Sequence, residues 1–442
     1  MQLSMRDWRL PALVGAAFVF ARLSGGRLPF FLFYLAAGVL ITAWFWARHA
    51  LKRTECLVHV DSDRIEVGQS VAVKVRLDND TFLPLPWVEV DDATPQHLVA
   101  TDMPRQATSV PLWGSRLVTF RLTARRRGHY PVGPIKVTLG DAFGLFQGYR
   151  EFQSRGTVTV YPRVYRLEGL PVPLSQPFGP VRTREKAFED PSNQAEIRKY
   201  RPGDNPRHIH WKTSARVGEL MLKEYELNAT TQMILFPDLC EEAQAGSLIA
   251  TGVSTEETAV EVAAALADLG LRRSIEVGLI AHGQDRFAVA AGRGQRTFHE
   301  ILEKLARVEA HGRVPVEQVL ELETAHLSGK STIVVITPRL TPRLADVLIR
   351  LRSNHQVMLV LLNRESYLAT ALEPAAEEAA ATSLLADDGI LSLTGLLALR
   401  KVAVYLMSAN DDIRRLADLR LSAGPEGVRT WSQNARTSGT RP

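Results

Sequence analysis

A long uncharged stretch near the N-terminus constrains this chain more than any other feature. Leu28 to Ala47 reads LPFFLFYLAAGVLITAWFWA and contains no charged side chain. Because the hydrocarbon core of a bilayer is roughly 30 Å thick, a helix of this length is sufficient to cross it. Trp44 and Trp46 stand near its end, where indole rings favour the membrane interface. The stretch predicts a transmembrane helix and a chain anchored in a membrane.

A shorter apolar stretch, Leu10 to Leu23, precedes it, and the turn-forming Ser24-Gly25-Gly26 separates the two. We predict a two-helix transmembrane hairpin. The alternative is a signal peptide, although Ala21-Arg22-Leu23 makes a poor cleavage site. Basic residues flank both outer ends, so the positive-inside rule places both ends and all the soluble domains in the cytoplasm. These flanking residues are Arg6, Arg9, Arg48, Lys52 and Arg53.

Charge and cysteine content limit the classes of partner and compartment. The formal net charge is only +5, with 45% hydrophobic residues, which is ordinary for a folded chain of 442 residues. The small basic excess favours membrane lipids as a neighbour and does not indicate nucleic-acid binding. Cys56 and Cys240 are too few for a disulfide framework, and we expect a reducing compartment.

From Glu55 to about Pro162 the hydrophobic period is two, as in the run Val71 to Leu77 (VAVKVRL). Short alternating runs separated by turn residues predict an antiparallel β-sandwich. Within it, Arg125 to Tyr130 is interpreted as a solvated strand edge or a contact with lipid headgroups. Asp141 to Phe146 (DAFGLF) is interpreted as a turn whose apolar side chains plug the sandwich.

Beyond residue 229 strands alternate with helices. Apolar runs at 232–237, 274–280, 332–337 and 356–362 predict strands, and amphipathic segments between them predict helices. Ser254 and Glu257 form a capping box for the first of these helices, and Gly270 fits its C-cap region. The alternation predicts a mostly parallel sheet covered by helices on both faces. Val402 to Met407 predicts a last strand.

These patterns predict a membrane-anchored multidomain protein. Its segments are a transmembrane hairpin (1–54), a β-sandwich (55–165), a signature segment (166–228), an α/β domain (229–365), a C-terminal extension (366–422) and a disordered tail (423–442). Within the extension, residues 375–388 are rich in Ala and Glu and predict a helix or linker.

Residues 198–216, hereafter the signature, read RKYRPGDNPRHIHWKTSAR and combine a Pro-Gly turn, one acid and six basic residues. One interpretation is a clamp, in which Ile209 and Trp211 pin the segment to a core and Asp204 holds the arginines. The other is a preorganised basic platform for an acidic partner surface or a phosphate. The sequence leaves both interpretations open.

The signature resembles that of the bacterial DUF58 family. The matching residues are Arg198, Tyr200, Gly203, Asp204, Arg207, Ile209, Trp211, Lys212, Ser214, Ala215 and Arg216. The order of a membrane hairpin, a β-rich segment with Gly133-Pro134 and the Asp141–Phe146 turn, the signature and an α/β domain is also similar to that family. The resemblance implies a von Willebrand factor A-like, Rossmann-like domain at the bacterial cytoplasmic membrane. It also implies a MoxR-type AAA+ ATPase and a transglutaminase-like membrane protein as partners, with no established enzymatic activity.

Von Willebrand factor A-like domains often hold a divalent cation through Asp-x-Ser-x-Ser, because hard cations need oxygen ligands. Here Asp238 matches the leading acid, but Cys240 and Glu242 stand in place of the serines. A later strand ends in Thr337-Pro338-Arg339, which offers no acid. We predict no metal and no other cofactor, with Asp238 as a turn or cap residue and Cys240 as a buried filler.

Two hypotheses for function follow. The first is a non-enzymatic adaptor that docks the ATPase through the signature, with cell-envelope protein maturation as the expected process. The alternative is a hydrolytic or phosphoryl-transfer enzyme that uses Asp204, His208, His210 and Lys212. Zinc would need three or four ligands, and no further histidine or cysteine lies nearby in sequence. Ser214 could also form a catalytic triad with a histidine and Asp204, but the chain has no Gly-x-Ser-x-Gly nucleophile elbow.

Overall fold

The computed structural model describes residues 2–5, 9–92, 98–100, 105–154, 156–171, 194–200, 209–225, 232–247, 252–325, 327, 331–369, 388–424 and 427–430. The chain divides into two compact units. One comprises Met1–Val164 with Leu302–Val308, and the other comprises Tyr165–Ile301 with Glu309–Pro442. The division after residue 164 falls beside the predicted end of the β-sandwich.

Two helices stand near the start of the first unit, α1 (Arg9–Ser24) and α2 (Arg27–Arg53). They contact each other, and the rings of Phe18 and Phe33 lie 5.0 Å apart. Of the helices in the described residues, α2 alone is long and apolar enough to cross a membrane, at about 40 Å. Only 6% of its most apolar window is buried, whereas a core helix of a soluble protein would be mostly buried. Because α1 is shorter, a second membrane span stays a prediction.

The other elements of the first unit are strands. They are β1 (Gln2–Met5), β2 (Thr54–Val60), β3 (Arg64–Glu66), β4 (Ser70–Asn79), β5 (Leu85–Asp92), β6 (Leu98–Ala100), β7 (Arg105–Val110), β8 (Ser115–Ala124), β9 (Gly128–Pro131), β10 (Ile135–Gly140), β11 (Phe146–Phe152) and β12 (Thr157–Tyr161). The sheets are ordered β2-β4-β8-β6, β1-β11-β10-β5-β7 and β3-β12-β9.

The β-sandwich core confirms the predicted alternation. Val71, Val73, Val75 and Leu77 of β4 are all buried, and they share one hydrophobic core with residues of β5 and β10. Apolar side chains from two sheets therefore meet in a single core, because every second residue of each strand points inward.

Two predicted features of this unit are wrong in detail. Arg127 is buried rather than part of a solvated edge, because its guanidinium donates to the backbone carbonyls of Leu305 and Val308 at 3.0 and 2.9 Å. Phe146 packs against Ala43 and Ala47 of α2 instead of plugging the sandwich core. Neither contact is visible in the local sequence pattern, since both join distant parts of the chain.

The remaining elements of the chain follow in order. They are β13 (Gln194–Lys199), α3 (Trp211–Val217), β14 (Met221–Tyr225), β15 (Gln232–Pro237), a 3-10 turn (Glu241–Ala243), β16 (Gly246–Ser247), β17 (Val253–Ser254), α4 (Thr255–Arg272), β18 (Glu276–His282), β19 (Arg286–Gly292), α5 (Gly294–Arg307), α6 (Val316–Thr324), β20 (Ser331–Thr337), α7 (Pro342–Leu351), β21 (Gln356–Leu362), α8 (Arg364–Ala369), α9 (Asp388–Leu399), β22 (Ala403–Met407), a second 3-10 segment (Ile413–Leu419), β23 (Leu421–Gly424) and β24 (Gly427–Thr430).

A six-stranded sheet forms the centre of the second unit, in the order β19-β18-β15-β20-β21-β22. Its neighbouring strands pair in parallel, except that β19 is antiparallel to β18. β15 is the first of these strands along the chain and lies in the middle, so the strand order reverses between β15 and β20. In open α/β sheets, the crevice beyond the carboxyl ends of the strands at such a reversal is the usual ligand-binding position.

The N-cap predicted for α4 is confirmed, because the Ser254 hydroxyl accepts a hydrogen bond from the Glu257 backbone N–H at 3.2 Å. The predicted C-cap is wrong, since the helix continues to Arg272 and Gly270 lies inside it. A Cβ on Gly270 would come within 2.7 Å of Met233 and Val277 side-chain carbons. This glycine therefore allows α4 to pack closely on the sheet.

The C-terminal part of the chain also differs from its predicted boundaries. The sheet continues past residue 365, because β22 pairs in parallel with β21. In the region predicted as a tail, β23 and β24 form an antiparallel pair. Most of the predicted helix or linker at 375–388 lies outside the described residues, as do residues 431–442.

Candidate functional site

The signature lies between two paired strands. β13 runs antiparallel to β14, with Arg198 opposite Leu222 and Lys199 opposite Met221. The helix α3 lies in the connection between these two strands, shortly before β14. The predicted residues Gly203, Asp204, Arg207 and His208 lie outside the described residues, as does the Arg198 side chain. Tyr200, Trp211, Lys212, Ser214 and Arg216 lie within the described residues.

Local hydrogen bonds fix the position of α3. His210 is its N-cap, and the imidazole Nδ1 accepts from the Thr213 backbone N–H at 3.0 Å. The buried Ser214 hydroxyl donates to the His210 carbonyl at 3.0 Å and accepts from the Met221 backbone N–H at 2.8 Å. Gly218 ends the helix in the left-handed region, at φ 78°. These bonds tie α3 to the first residue of β14.

The outer surface of α3 and of the short connection that follows it presents an aromatic ring, aliphatic side chains and basic groups. Trp211, Val217 and Leu220 are 68%, 53% and 46% exposed, and Lys212 and Arg216 are also exposed. We call these five residues the α3 face. Lys212 and Arg216 stand four residues apart on the helix, hence on one side. Within the described part of the chain, neither forms an ion pair.

The clamp interpretation has Ile209 and Trp211 pin the signature to a core, and the exposure of Trp211 contradicts its part of that interpretation. The inward positions belong to Ile209, just before the helix, and to Ser214, which are 9% and 8% exposed. The helix α3 has only seven residues, and Ser214 is its one buried position. The largest ring of the signature therefore faces outward.

A second polar cluster lies at the carboxyl edge of the six-stranded sheet. Asp238 follows β15 and is 4% exposed. One carboxylate oxygen accepts from the Cys240 backbone N–H at 3.0 Å and the other from the Thr337 hydroxyl at 2.7 Å. Burial raises the pKa of Asp238 to about 6, although both hydrogen bonds oppose that rise. The first hydrogen bond gives Asp238 the turn role predicted for it.

A cavity of about 220 Å³ opens beside Asp238. It is lined by Asp238, Cys240, Glu242, Ala243, Pro315, Val316, Glu317, Arg339 and Thr341. The donor set does not fit a divalent cation, because both Asp238 oxygens already accept hydrogen bonds and Arg339 brings a positive charge to the same space. Among the described residues, no group of three or more His, Cys, Asp or Glu side chains could hold a metal.

Comparison with known proteins supports the predicted family. Residues 196–372, which include the signature, match the family model "Protein of unknown function DUF58". The chain is 25% identical over 337 residues to the Uncharacterized protein YeaD of Bacillus subtilis (strain 168), an alignment that covers 75% of this chain and 82% of that protein. These two matches support membership of the DUF58 family. Neither description assigns an activity.

Solved structures resemble parts of the chain only weakly. The CARDB domain of the PF1109 protein from Pyrococcus furiosus is 16% identical, covering 24% of this chain and 93% of that chain, with a TM-score of 0.18. The cupredoxin domain of amoB from Nitrosocaldus yellowstonii is 12% identical, covering 25% and 87%, with a TM-score of 0.18. Similarities of this size carry no functional argument.

Proposed function

We propose that this protein is a non-enzymatic, membrane-anchored adaptor that docks a cytoplasmic MoxR-type AAA+ ATPase through the α3 face. The observation that carries the proposal is the exposure of Trp211 on a helix that local hydrogen bonds hold in place. The identity of the partner comes from the family resemblance.

The composition of the α3 face suits a protein partner. Trp and Arg are the residues most enriched among those that dominate binding energy, and a central aromatic ring surrounded by polar groups is a common arrangement. Lys212 and Arg216 favour a partner surface that carries acidic side chains, because complementary charge raises the association rate and selects the partner. A nucleic-acid site would need a broader basic surface with interleaved aromatics.

The alternative, an enzyme built on the signature, gains no support from the described residues. The Nδ1 atom of His210 caps α3, and the Ser214 hydroxyl is engaged at both its donor and acceptor positions. Both groups have structural roles that account for them. The other members of that proposed cluster, Asp204 and His208, lie outside the described residues.

We assign the second unit to the von Willebrand factor A-like class. The assignment is supported by a central first strand, one antiparallel edge strand and a polar cluster at the carboxyl edge of the sheet. In this proposal the α/β unit and the signature together form the docking module. A transglutaminase-like membrane protein and envelope-protein maturation belong to the same proposal through the family resemblance.

We also propose that the anchor is a retained hairpin with both ends in the bacterial cytoplasm. The pairing of β1 with β11, from Gln2 opposite Tyr149 to Met5 opposite Phe146, supports it. A strand before α1 and the sandwich after α2 then lie on the same side of the bilayer. Cleavage of a signal peptide would remove β1 and leave the edge of β11 unpaired.

Co-purification tests the adaptor proposal. The full-length protein, solubilised in a mild detergent, would be mixed with a purified MoxR-type ATPase, with ATP and without. Replacing a central aromatic anchor typically costs at least about 2 kcal/mol, so Trp211→Ala combined with Arg216→Glu should weaken binding by about 30-fold or more. Wild-type affinity in a folded double variant would refute the α3 face as the dock.

A matched control is available in the first unit. Trp113 is 64% exposed, nearly as much as Trp211, and Trp113→Asn should leave ATPase binding unchanged. Asparagine suits this position because Trp113 has φ 50°, a conformation that Asn tolerates better than most residues. An equal loss in both variants would indicate general damage instead of a specific dock.

A further inference from the structure

Two loops at one end of the β-sandwich expose large apolar side chains. Residues 80–84 connect β4 to β5, and residues 111–114 connect β7 to β8. Phe82, Leu112 and Trp113 are 57%, 53% and 64% exposed. The two loops adjoin, since the Trp113 N–H donates to the Thr81 carbonyl at 3.1 Å. Their exposed side chains therefore share one end of the unit, and such clustering marks an interaction surface.

Buried polar side chains brace these two loops. Asn79 is 3% exposed, and its side-chain amide donates to the carbonyls of Leu83 and Pro111, each at 2.9 Å. The buried Thr81 hydroxyl donates to the Asn79 side-chain oxygen at 2.7 Å. Trp113 has φ 50°, which is rare and unfavourable for a bulky residue. The backbone conformation of Trp113 therefore costs free energy, and the exposed indole ring gains no burial within this chain that would offset this cost.

The same end of the sandwich is attached to α2. The Trp46 indole N–H donates to the Pro84 carbonyl at 3.0 Å, and the ring of His49 lies 5.9 Å from that of Phe82. Trp46 and His49 belong to the turn of α2 where the apolar stretch gives way to basic residues. In a membrane-spanning helix, that turn lies at the level of the lipid headgroups.

A third loop, residues 141–145, reaches further along the same helix. Leu145 and the adjoining Phe146 pack with Leu40, Ala43 and Ala47 of α2, while Phe143 is 52% exposed. Ala43 precedes Arg48, the first charged residue after the apolar stretch, by five residues, which is about 7.5 Å of helix rise. If α2 spans the bilayer, this contact lies on the hydrocarbon side of the headgroups.

We propose that these three loops form a lipid-contacting end of the β-sandwich, with Phe82, Leu112, Trp113 and Phe143 inserted into the interfacial layer of the phospholipid bilayer. The bilayer is the occupant that the observations favour, because the exposed side chains continue the apolar surface of α2. Aromatic rings favour this layer, and peripheral apolar groups typically enter it by about 5–10 Å. The inference rests on membrane anchoring by α2 and is independent of the α3 face.

Depth-dependent fluorescence quenching tests the proposal in the full-length protein. In a Cys56→Ser, Cys240→Ala background, Leu112→Cys and Phe143→Cys would each carry an environment-sensitive fluorophore in phosphatidylcholine proteoliposomes. Both labels should be quenched several-fold more by lipid-attached nitroxide than a control label, and they should be shielded from aqueous iodide. The control is Ser70→Cys, which is exposed at the opposite end of β4 from the loops, about 30 Å away.

Each outcome decides the inference. Iodide quenching at positions 112 and 143 equal to that at position 70, in protein that resists alkaline carbonate extraction, would overturn the lipid contact and leave the anchor intact. Shielding from both quenchers would indicate that the loops are covered by protein, such as a second copy of this chain, and would also overturn it. Release by carbonate would refute the anchor itself. Phe82→Cys, in the neighbouring loop, replaces either labelled variant that fails to fold.

Discussion

The buried carboxyl group of Asp238 should make the second unit less stable as the pH rises. Its pKa is raised from 3.8 to about 6, chiefly by burial. Between these values the unfolded chain releases a proton that the folded chain retains, so ionisation favours unfolding. Asp238→Asn supplies a neutral side chain of the same shape. Its oxygen can accept from the Cys240 N–H, and its amide can donate to the Thr337 hydroxyl.

The magnitude follows from the two pKa values. Relative to a side chain that does not titrate, Asp238 lowers the free energy of unfolding by about 1.6 kcal/mol at about pH 5 and by about 3 kcal/mol at about pH 8. Because the asparagine amide does not titrate, the stability advantage of Asp238→Asn over wild type should grow by about 1.4 kcal/mol between these conditions. Asp238→Ala, which leaves the Cys240 N–H without its acceptor, should instead lose about 1–3 kcal/mol.

Accessibility of the Cys240 thiol provides a local assay for this effect. Cys240 is 6% exposed in the folded chain and lies two residues from Asp238. Full-length protein in detergent micelles would be taken through a urea series and pulsed with a methanethiosulfonate reagent. Mass spectrometry of the Cys240 peptide then gives the urea concentration at which the region around Cys240 unfolds, and labelling of Cys56 does not contribute to it. Glu242→Gln, which removes an exposed carboxylate at the same cavity, is the matched control variant.

An equal stability difference between Asp238→Asn and wild type at about pH 5 and about pH 8 would refute this prediction, since the linkage requires the difference to change. A variant less stable than wild type at the higher pH would refute it as well. Either result would mean that the carboxylate is better solvated or better paired in the folded state than its burial indicates.

Three further predictions concern other parts of the chain. Glu323→Gln should lower the free energy of unfolding by about 1 kcal/mol at neutral pH, because a half-exposed Arg286 lowers the Glu323 pKa from 4.5 to about 2. In urea titrations the wild type should lose this stability as the pH falls from 4.5 to about 2, and a stability that does not change with pH would contradict the prediction. Gly312→Ala should cost at least about 2 kcal/mol in thermal unfolding, because its Cβ would lie 2.5 Å from a backbone carbonyl oxygen. Ser214→Ala should accelerate amide hydrogen exchange at Met221 by about fivefold or more; unchanged exchange would remove the structural role of this hydroxyl.

Strands whose side chains are buried at a regular spacing along the chain could be predicted from the sequence. The alternation from Val71 to Leu77 specified β4 and its inward face, and the continuous apolar runs located the parallel strands β15, β20 and β21. Both signals are local, because every second residue, or every residue, of such a strand faces a core. The edge strand β19 was missed, since only Val289 along it is buried and no clear period results.

Features that depend on distant partners could not be predicted. In α3, which is only about two turns long, the hydrophobicity of Trp211 carries no information about which side faces inward. Phe146 is as apolar as a core residue, yet it packs on α2, far earlier in the chain. The predicted end of the α/β domain at 365 was too early, because β22 joins the sheet only after an intervening segment without strand periodicity.

The pairing of β1 with β11 has a consequence for how the chain is made. The four residues of β1 are synthesised about 140 residues before their partner strand, so this edge of the sheet can close only after α1 and α2 have been made. Until then the N-terminal strand has no partner in its sheet. Synthesis of both helices therefore precedes completion of this sheet.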